Sequence, residues 1–277
     1  MEAQATGLPV ILAVAPNGGR RSKADQPALP MTALELVHTA ADCLEAGAAM
    51  IHTHVRKPDG GHLLDAEAYR TTIAAIRAAV GDRLVIQITS EALGLYAPAE
   101  QRAVVQAVRP EAVSLALREL LPDASEEIAF ADFLTWLKRE EVTPQIILYT
   151  PQEAQQLDQL RKRGLLPWED IAVLYVLGRY TPGQVSGPRD LLPFLAPGQP
   201  VFGPWSVCAF GRWETACVTS AALLGGHARV GFESNLYRPD GTVAQSNGEM
   251  VSLTRRAIEG CGLRLGTADD LRAMLRT

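Results

Sequence analysis

Two kinds of segment alternate along the chain, distinguished by the spacing of their apolar residues. Short runs rich in β-branched and other apolar residues predict buried strands at residues 10–14, 50–55, 84–88, 112–117, 146–149, 172–177, 200–208 and 228–232. Apolar residues at helical spacing predict helices at 33–45, 66–79, 99–108, 126–140, 153–163, 188–195 (the weakest pattern), 214–224, 247–260 and 267–275. Strand and helix patterns therefore follow one another through nearly the whole chain.

Local signals agree with several of these boundaries. Thr32 with Glu35 forms a capping-box pattern, Asp65 precedes the second helix, and Ser125 precedes the fourth. Eight strands alternating with about eight helices over some 250 residues favour a (β/α)8 barrel, or TIM barrel, over a doubly wound sheet. We therefore predict one domain over residues 1–277, with a C-terminal helical extension.

Polar side chains recur where the predicted strands end, as the active face of such a barrel requires. They are Asn17, His52, His54, Thr89, Ser90, Ser114, Tyr149, Thr150, Glu233, Ser234 and Asn235. An open parallel sheet would instead concentrate such residues at one switch point.

His52 and His54, in "MIHTHVR", lie two residues apart on a predicted strand, so both side chains project to the same side. Two neutral imidazoles that converge on one point are natural ligands of zinc or another transition metal. The alternative is two polar residues satisfied by hydrogen bonds near a sheet end.

Glu233, in "GFESN", is the candidate third ligand because barrel closure brings the eighth strand close to the first and second. Two histidines and one glutamate leave the fourth tetrahedral position open, as a catalytic zinc requires. An exposed loop carboxylate is the alternative interpretation of Glu233.

Composition narrows the class of partner. With 26 basic and 31 acidic residues the net charge is −5, which argues against a general binder of nucleic acid or of membrane surfaces. The four cysteines form no CxxC pair and indicate free thiols in a reducing compartment. The first apolar run is too short to span a bilayer, so we expect a cytoplasmic protein that acts on small molecules or binds other subunits.

Six segments in succession resemble the β-keto acid cleavage enzymes, the family of 3-keto-5-aminohexanoate cleavage enzyme. They are "VAPNGGRRSKADQPALPMT", "AGAAMIHTHVRKPDG", "LVIQITSEA", "RPEAVSLALRE", "FGRWET" and "GGHARVGFESN". The resemblance implies a zinc-dependent (β/α)8 barrel that forms a homo-oligomer, a dimer or a tetramer. It also implies a reaction between a β-keto acid and acetyl-CoA that gives acetoacetate and a new acyl-CoA thioester.

The resemblance also assigns roles to individual residues. His52, His54 and Glu233 match the zinc ligands, and Thr89 and Ser114, with Ser90 beside them, match hydroxyls that hold the β-keto acid. Arg229 matches an arginine that works with a following aspartate to supply the base. Asn17 and Arg20 are further candidates for substrate binding.

Some positions depart from the family pattern. Ser234 replaces the aspartate, Arg20 replaces a glutamate, Ile147 and Thr150 replace acidic residues, and Glu91 stands where the family has glycine. A serine hydroxyl is far too weak a base at neutral pH without help. We therefore expect either Glu91 or zinc-bound water to act as the base; Glu91 as a helix-cap carboxylate, and Arg20 as a solvated loop charge, are the alternatives.

Two other functional classes stay open. One is a catalytically silent barrel that binds a metal or an acyl-CoA, which loss of the aspartate would allow. The other is a zinc hydrolase of the amidohydrolase type, which would need HxH on the first strand and further histidines near the fifth and sixth. The sequence has no histidine between His62 and His227.

Overall fold

The computed structural model describes residues 8–275, which form ten strands and ten α-helices. The strands are β1 (Leu12–Val14), β2 (Met50–Thr53), β3 (Val55–Arg56), β4 (His62–Leu63), β5 (Val85–Thr89), β6 (Ala112–Ala116), β7 (Thr143–Leu148), β8 (Ala172–Leu177), β9 (Trp205–Ala209) and β10 (His227–Val230). The helices are α1 (Ala33–Ala46), α2 (Ala66–Val80), α3 (Pro98–Val108), α4 (Leu117–Leu120), α5 (Glu127–Arg139), α6 (Pro151–Lys162), α7 (Leu192–Leu195), α8 (Glu214–Leu223), α9 (Asn247–Gly260) and α10 (Ala268–Leu275).

Eight of the strands form a closed parallel barrel in the order β1, β2, β5, β6, β7, β8, β9, β10. Pairing of Leu12 with Ala228 joins the last barrel strand to the first. A helix or helical turn separates each barrel strand from the next, and the apolar faces of the helices pack on the outside of the strands. The predicted (β/α)8 architecture is confirmed.

The start signals explain where two helices begin. The Thr32 and Glu35 side chains form the complete capping box of α1, and the Asp65 side chain accepts a hydrogen bond from the Ala68 N–H at the start of α2. The expectation at Ser125 was wrong. The side chain of Asp123 caps a single 3₁₀ turn there, and α5 begins after it.

Two elements differ from the prediction because of proline. The strand predicted at 200–208 is β9, which begins only at Trp205, after a segment in which Val201 is 81% exposed. Pro200 and Pro204 have no N–H to give to a strand ladder. The helix predicted at 188–195 is a 3₁₀ turn followed by the four-residue α7, because prolines recur through this segment.

The strand predicted at 50–55 is interrupted at His54. Beyond it, β3 pairs antiparallel with β4 in a short hairpin, which was not predicted. This hairpin brings His62 beside His54, with 5.8 Å between the ring centroids.

Of the two C-terminal helices, α9 packs against α1 and contacts β1, so it is the eighth helix of the barrel. Only α10 lies beyond the repeating pattern, and the predicted extension is therefore shorter than expected. Ala268 and Leu271 of α10 pack on Ile11, Met50 and Val85, which closes the amino end of the barrel. No helix within residues 8–275 is long and apolar enough to cross a membrane.

Candidate active site

Three side chains converge at the carboxyl end of the barrel. His52 Nε2 lies 3.2 Å from His54 Nε2, and Glu233 Oε2 lies 3.6 Å and 3.5 Å from these two nitrogens. Tetrahedral ligands at about 2.0–2.1 Å from a zinc ion are about 3.3 Å apart. Glu233 Oε2 is buried and has no hydrogen-bond partner. The donor set and its spacing therefore fit a zinc ion held by three protein ligands.

His52 is oriented from the inside of the barrel. Its Nδ1 lies 2.8 Å from Gln87 Oε1, so Nδ1 carries the proton and Nε2 presents its lone pair. Gln87 Nε2 donates to Gln145 Oε1, and Gln145 Nε2 donates to Ser206 Oγ. Burial lowers the pKa of His52 to about 3, which keeps its imidazole neutral and able to bind a metal.

The loop after β1 supports the other two ligands. The Asn17 side chain donates to the His54 carbonyl at 2.9 Å and accepts from the His54 N–H at 3.3 Å. The next residue, Gly18, has φ of +58°, and a Cβ there would lie 2.6 Å from Glu233 Cγ. Glycine is therefore needed for the loop to pass over the Glu233 side chain.

Arg229 neutralises Glu233 from the barrel interior. Its Nη2 lies 3.2 Å from Glu233 Oε1 and also donates to Cys208 Sγ, whereas Nε and Nη1 are buried without partners. Burial alone would raise the pKa of Glu233, but the positive charge of Arg229 holds it well below its usual value. Glu233 is thus an anion that can serve as a ligand.

A cavity opens directly beside the three converging side chains. Its polar side carries Thr89 and Ser114. Thr89 Oγ1 accepts a hydrogen bond from the Glu91 N–H and so keeps its own proton for another partner, while Ser114 Oγ is buried without one. Two hydroxyl donors therefore face the same space as the candidate metal ligands.

Glu91 lines the same cavity. Its Oε2 lies 3.9 Å from His54 Nδ1, and its Oε1 lies 3.7 Å from Arg179 Nη2. His62 Nε2 donates to the Glu91 carbonyl at 2.7 Å and holds the backbone at this point. The carboxylate is thus placed between an arginine and one of the two histidines.

The structure does not bring every predicted site residue into this cavity. Ser90 Oγ donates to the Ser114 carbonyl, and Ser234 Oγ donates to Glu214 Oε1 at 2.7 Å, so neither hydroxyl is available there. Asn17 and Arg20 line an adjoining cleft nearer the solvent, where Arg20 is exposed. Glu91, Thr89, Ser114, Arg229 and the three candidate ligands do line the cavity.

Two residues that the sequence interpretation missed lie at or beside the site. Arg179 lines the cavity and follows β8, so the rule that found the other strand-end residues could have found it. Glu214 is fully buried beside Ser234, and burial raises its pKa to about 8. No motif marks Glu214, because only the folded barrel brings it to Ser234.

Fold and site together define a class of protein: a (β/α)8 barrel with a His–His–Glu cluster suited to a catalytic metal at the carboxyl ends of its strands. The sequence model of the family described as beta-keto acid cleavage enzyme matches residues 9–276. This chain belongs to that family.

Curated relatives are similar along the whole chain. A 3-keto-5-aminohexanoate cleavage enzyme of Fusobacterium nucleatum subsp. nucleatum is 30% identical over 271 residues, covering 96% of this chain and 97% of the relative. A 3-oxoadipate:acetyl-CoA acetyltransferase of Cupriavidus necator is 26% identical over 274 residues, covering 96% and 94%. Both relatives match nearly end to end.

Among solved structures, a binary complex of ObcA with oxaloacetate superposes with a TM-score of 0.70 at 18% identity. The match covers 90% of this chain and 67% of that chain. At this identity the likeness concerns the barrel fold.

Proposed function

We propose that this protein is a zinc-dependent enzyme that condenses a β-keto acid with acetyl-CoA to give acetoacetate and a new acyl-CoA thioester. The observation that carries the proposal is the spacing of His52 Nε2, His54 Nε2 and Glu233 Oε2, between 3.2 and 3.6 Å, around an unpartnered carboxylate oxygen. Named activities of the relatives support it: one is a 3-oxoadipate:acetyl-CoA acetyltransferase. That residues 1–277 form one domain and that the protein is a homo-oligomer remain predictions.

His52, His54 and Glu233 would hold the zinc ion. When bound, zinc supplies Lewis-acid stabilisation of the negative charge that develops on substrate oxygens. Thr89 and Ser114 donate hydrogen bonds to the β-keto acid and fix its orientation beside these ligands. Arg229 keeps Glu233 ionised and offers its unpartnered N–H groups to an anionic substrate.

Glu91 is the candidate general base. Its carboxylate takes a proton from C2 of the β-keto acid, and the resulting carbanion forms a bond to the carbonyl carbon of acetyl-CoA while the bond to sulfur breaks. The CoA thiolate then attacks the original ketone carbon, the old carbon–carbon bond breaks, and Glu91 returns the proton to C2. No atom is gained or lost, and no oxidant or reductant is needed.

The other predicted residues would act less directly. Asn17 positions His54 through its two backbone hydrogen bonds, and Ser90 supports the Ser114 carbonyl. Ser234 holds Glu214 beneath the loop that carries Glu233. Arg20, in the outer cleft, is free to attract an anionic substrate to the mouth.

Metal analysis of the purified protein tests the proposal. We expect about one zinc ion per chain, and its loss in His52→Ala but not in His38→Ala, which changes an exposed histidine of α1. Acetyl-CoA with a panel of β-keto acids should release acetoacetate from the wild type only when zinc is bound. Zinc retained by His52→Ala would overturn the metal site, and bound zinc without turnover of any β-keto acid would favour the catalytically silent alternative.

A further inference from the structure

The cavity beside the candidate metal ligands has two unlike sides. Its polar side comes from β2, β5, Ser114 of β6 and Glu233 after β10. The opposite wall is apolar and comes from neighbouring strands: Ala116 ends β6, Ile147 lies in β7, Val176 lies in β8, and Phe210 follows β9. These side chains also form one buried hydrophobic cluster. We call these four residues the apolar wall.

Charged groups near the apolar wall already have partners. Glu153 accepts a hydrogen bond from the Tyr149 N–H, and its carboxylate lies 2.6 Å from Arg118 Nε. Of the residues that line the cavity, only Glu91 and Glu233 are acidic. Glu233 belongs to the candidate metal site, and Glu91 faces Arg179.

A cationic group placed against the apolar wall would therefore lose its water without gaining a free carboxylate. An anionic group would gain little there, because the charge of each of the two cavity arginines is already opposed by a carboxylate. Arg229 pairs with Glu233, and Arg179 lies over the Phe210 ring at 5.1 Å and faces Glu91. A hydrocarbon group, in contrast, gains about fourfold in affinity for each CH₂ that it buries.

We propose that the protein acts on β-keto acids whose C3 substituent is an uncharged hydrocarbon chain packed against Ala116, Ile147 and Val176. This inference rests on the proposed function. It names the substrate class of that site, with the carboxylate and ketone on the polar side and the alkyl chain on the apolar wall. Ile147 is then a specificity-determining residue.

Three substrates of equal chain length test the inference: 3-oxohexanoate, 5-amino-3-oxohexanoate and 3-oxoadipate, each with acetyl-CoA. We expect kcat/KM for 3-oxohexanoate to exceed that for the two charged substrates by about 100-fold or more, since burial of an unpaired charge is the discriminating cost. A preference for either charged substrate would overturn the inference.

Variants of Ile147 test which residue sets the preference. Ile147→Glu should shift the preference toward the amino substrate by at least about tenfold, whereas Ile147→Gln, which has the same shape without the charge, should not. Ile147→Ala keeps the wall apolar, so it provides a milder test if the Glu variant does not fold. It should lower the ratio of kcat/KM for 3-oxohexanoate to that for acetoacetate by several-fold. An unchanged ratio would contradict contact between the alkyl chain and Ile147.

Failure of the inference can be separated from failure of the proposed function. Acetoacetate with acetyl-CoA gives the same two compounds back, so ¹³C from the acetyl group of acetyl-CoA should appear in acetoacetate whatever the substituent preference. Absence of this exchange in the zinc-loaded protein would overturn the proposed function and, with it, the inference. Exchange combined with preference for a charged substrate would overturn the inference alone.

Discussion

At the carboxyl end of the barrel, several polar atoms are buried without partners, whereas Arg272, Glu111 and His227 at the amino end have partners. Around the candidate ligands the unpartnered atoms are Glu233 Oε2, His54 Nδ1, Ser114 Oγ, and Nε and Nη1 of Arg229. At the amino end Arg272 pairs with Glu111, and His227 accepts the Ile11 N–H. Unsatisfied groups are costly to bury, so the five such atoms grouped beside the cavity indicate where a ligand is expected.

The two ends also differ in what fills them. The amino end is closed by apolar side chains of α10, and the carboxyl end by a cavity lined with ionisable groups. A barrel of this type places stability at the first end and chemistry at the second. Substitutions at the two ends should therefore separate stability from turnover.

The largest expected effect is at the amino end. Leu271→Ala should lower the free energy of unfolding by about 3 kcal/mol, because it leaves a cavity beneath α10 that the neighbours fill only in part. Urea denaturation measures this loss, and kcat should stay within about twofold of the wild type. Leu224→Ala, at a 55% exposed site, is the control and should change stability by less than about 0.5 kcal/mol. A parallel loss of kcat in Leu271→Ala would contradict the prediction that substitutions at the amino end change stability without changing turnover.

The next effect is at the carboxyl end. Glu91→Gln should reduce kcat about 100-fold or more without loss of zinc, because the amide cannot accept the proton from C2. Steady-state turnover and metal content measure the two quantities together. Near-normal turnover would exclude Glu91 as the base and leave zinc-bound water as the alternative.

A smaller effect is expected behind His52. Gln87→Leu removes the acceptor for His52 Nδ1 and should weaken zinc binding about 10- to 100-fold, as loss of a partner to a metal-binding histidine generally does. Competition against a chelator measures the affinity. Gln155→Leu, at an exposed position on α6, should leave it unchanged. Equal affinities in wild type and Gln87→Leu would show that the amide does not orient His52.

The smallest effect is a pH dependence at the amino end. Burial lowers the pKa of His227 to about 4 from 6.5, so the unfolded chain binds a proton that the folded one does not. Stability is therefore full above pH 6.5 and lost as the pH falls toward 4, by about 1.4 kcal/mol at pH 5.5. His227→Asn keeps an acceptor for the Ile11 N–H and should flatten the dependence of the unfolding free energy over this range. If the wild type and His227→Asn show the same dependence of unfolding free energy on pH, groups other than His227 cause the loss of stability in acid.

The barrel could be predicted from sequence because buried parallel strands are short apolar runs and the helices between them carry an apolar stripe. Boundaries failed where proline breaks the pattern, as before Trp205, and where His54 separates two strands that the apolar run joins. The hairpin of β3 and β4 was missed because each strand has only two residues.

The candidate ligands could be predicted because HxH on a strand fixes two side chains on one side, and barrel closure supplies the third. The hydrogen-bond partners of the side chains could not be predicted. Ser234 follows Glu233 directly, yet its hydroxyl bonds to Glu214, twenty residues away in the chain. Which hydroxyl faces the cavity depends on the rotation of each strand in the closed barrel, and no local pattern carries that information.

The hydrogen bonds from His52 through Gln87 and Gln145 to Ser206 all run in one direction, each group donating to the next. If one amide alone were reversed, two donors or two acceptors would face each other. The direction of these hydrogen bonds can therefore change only for the whole series at once. In the reversed state Nδ1 of His52 would be the acceptor, its proton would move to Nε2, and the lone pair that faces Glu233 and His54 would be gone. The hydrogen bonds inside the barrel thus have two possible directions, and the direction in this structure leaves Nε2 of His52 able to bind a metal.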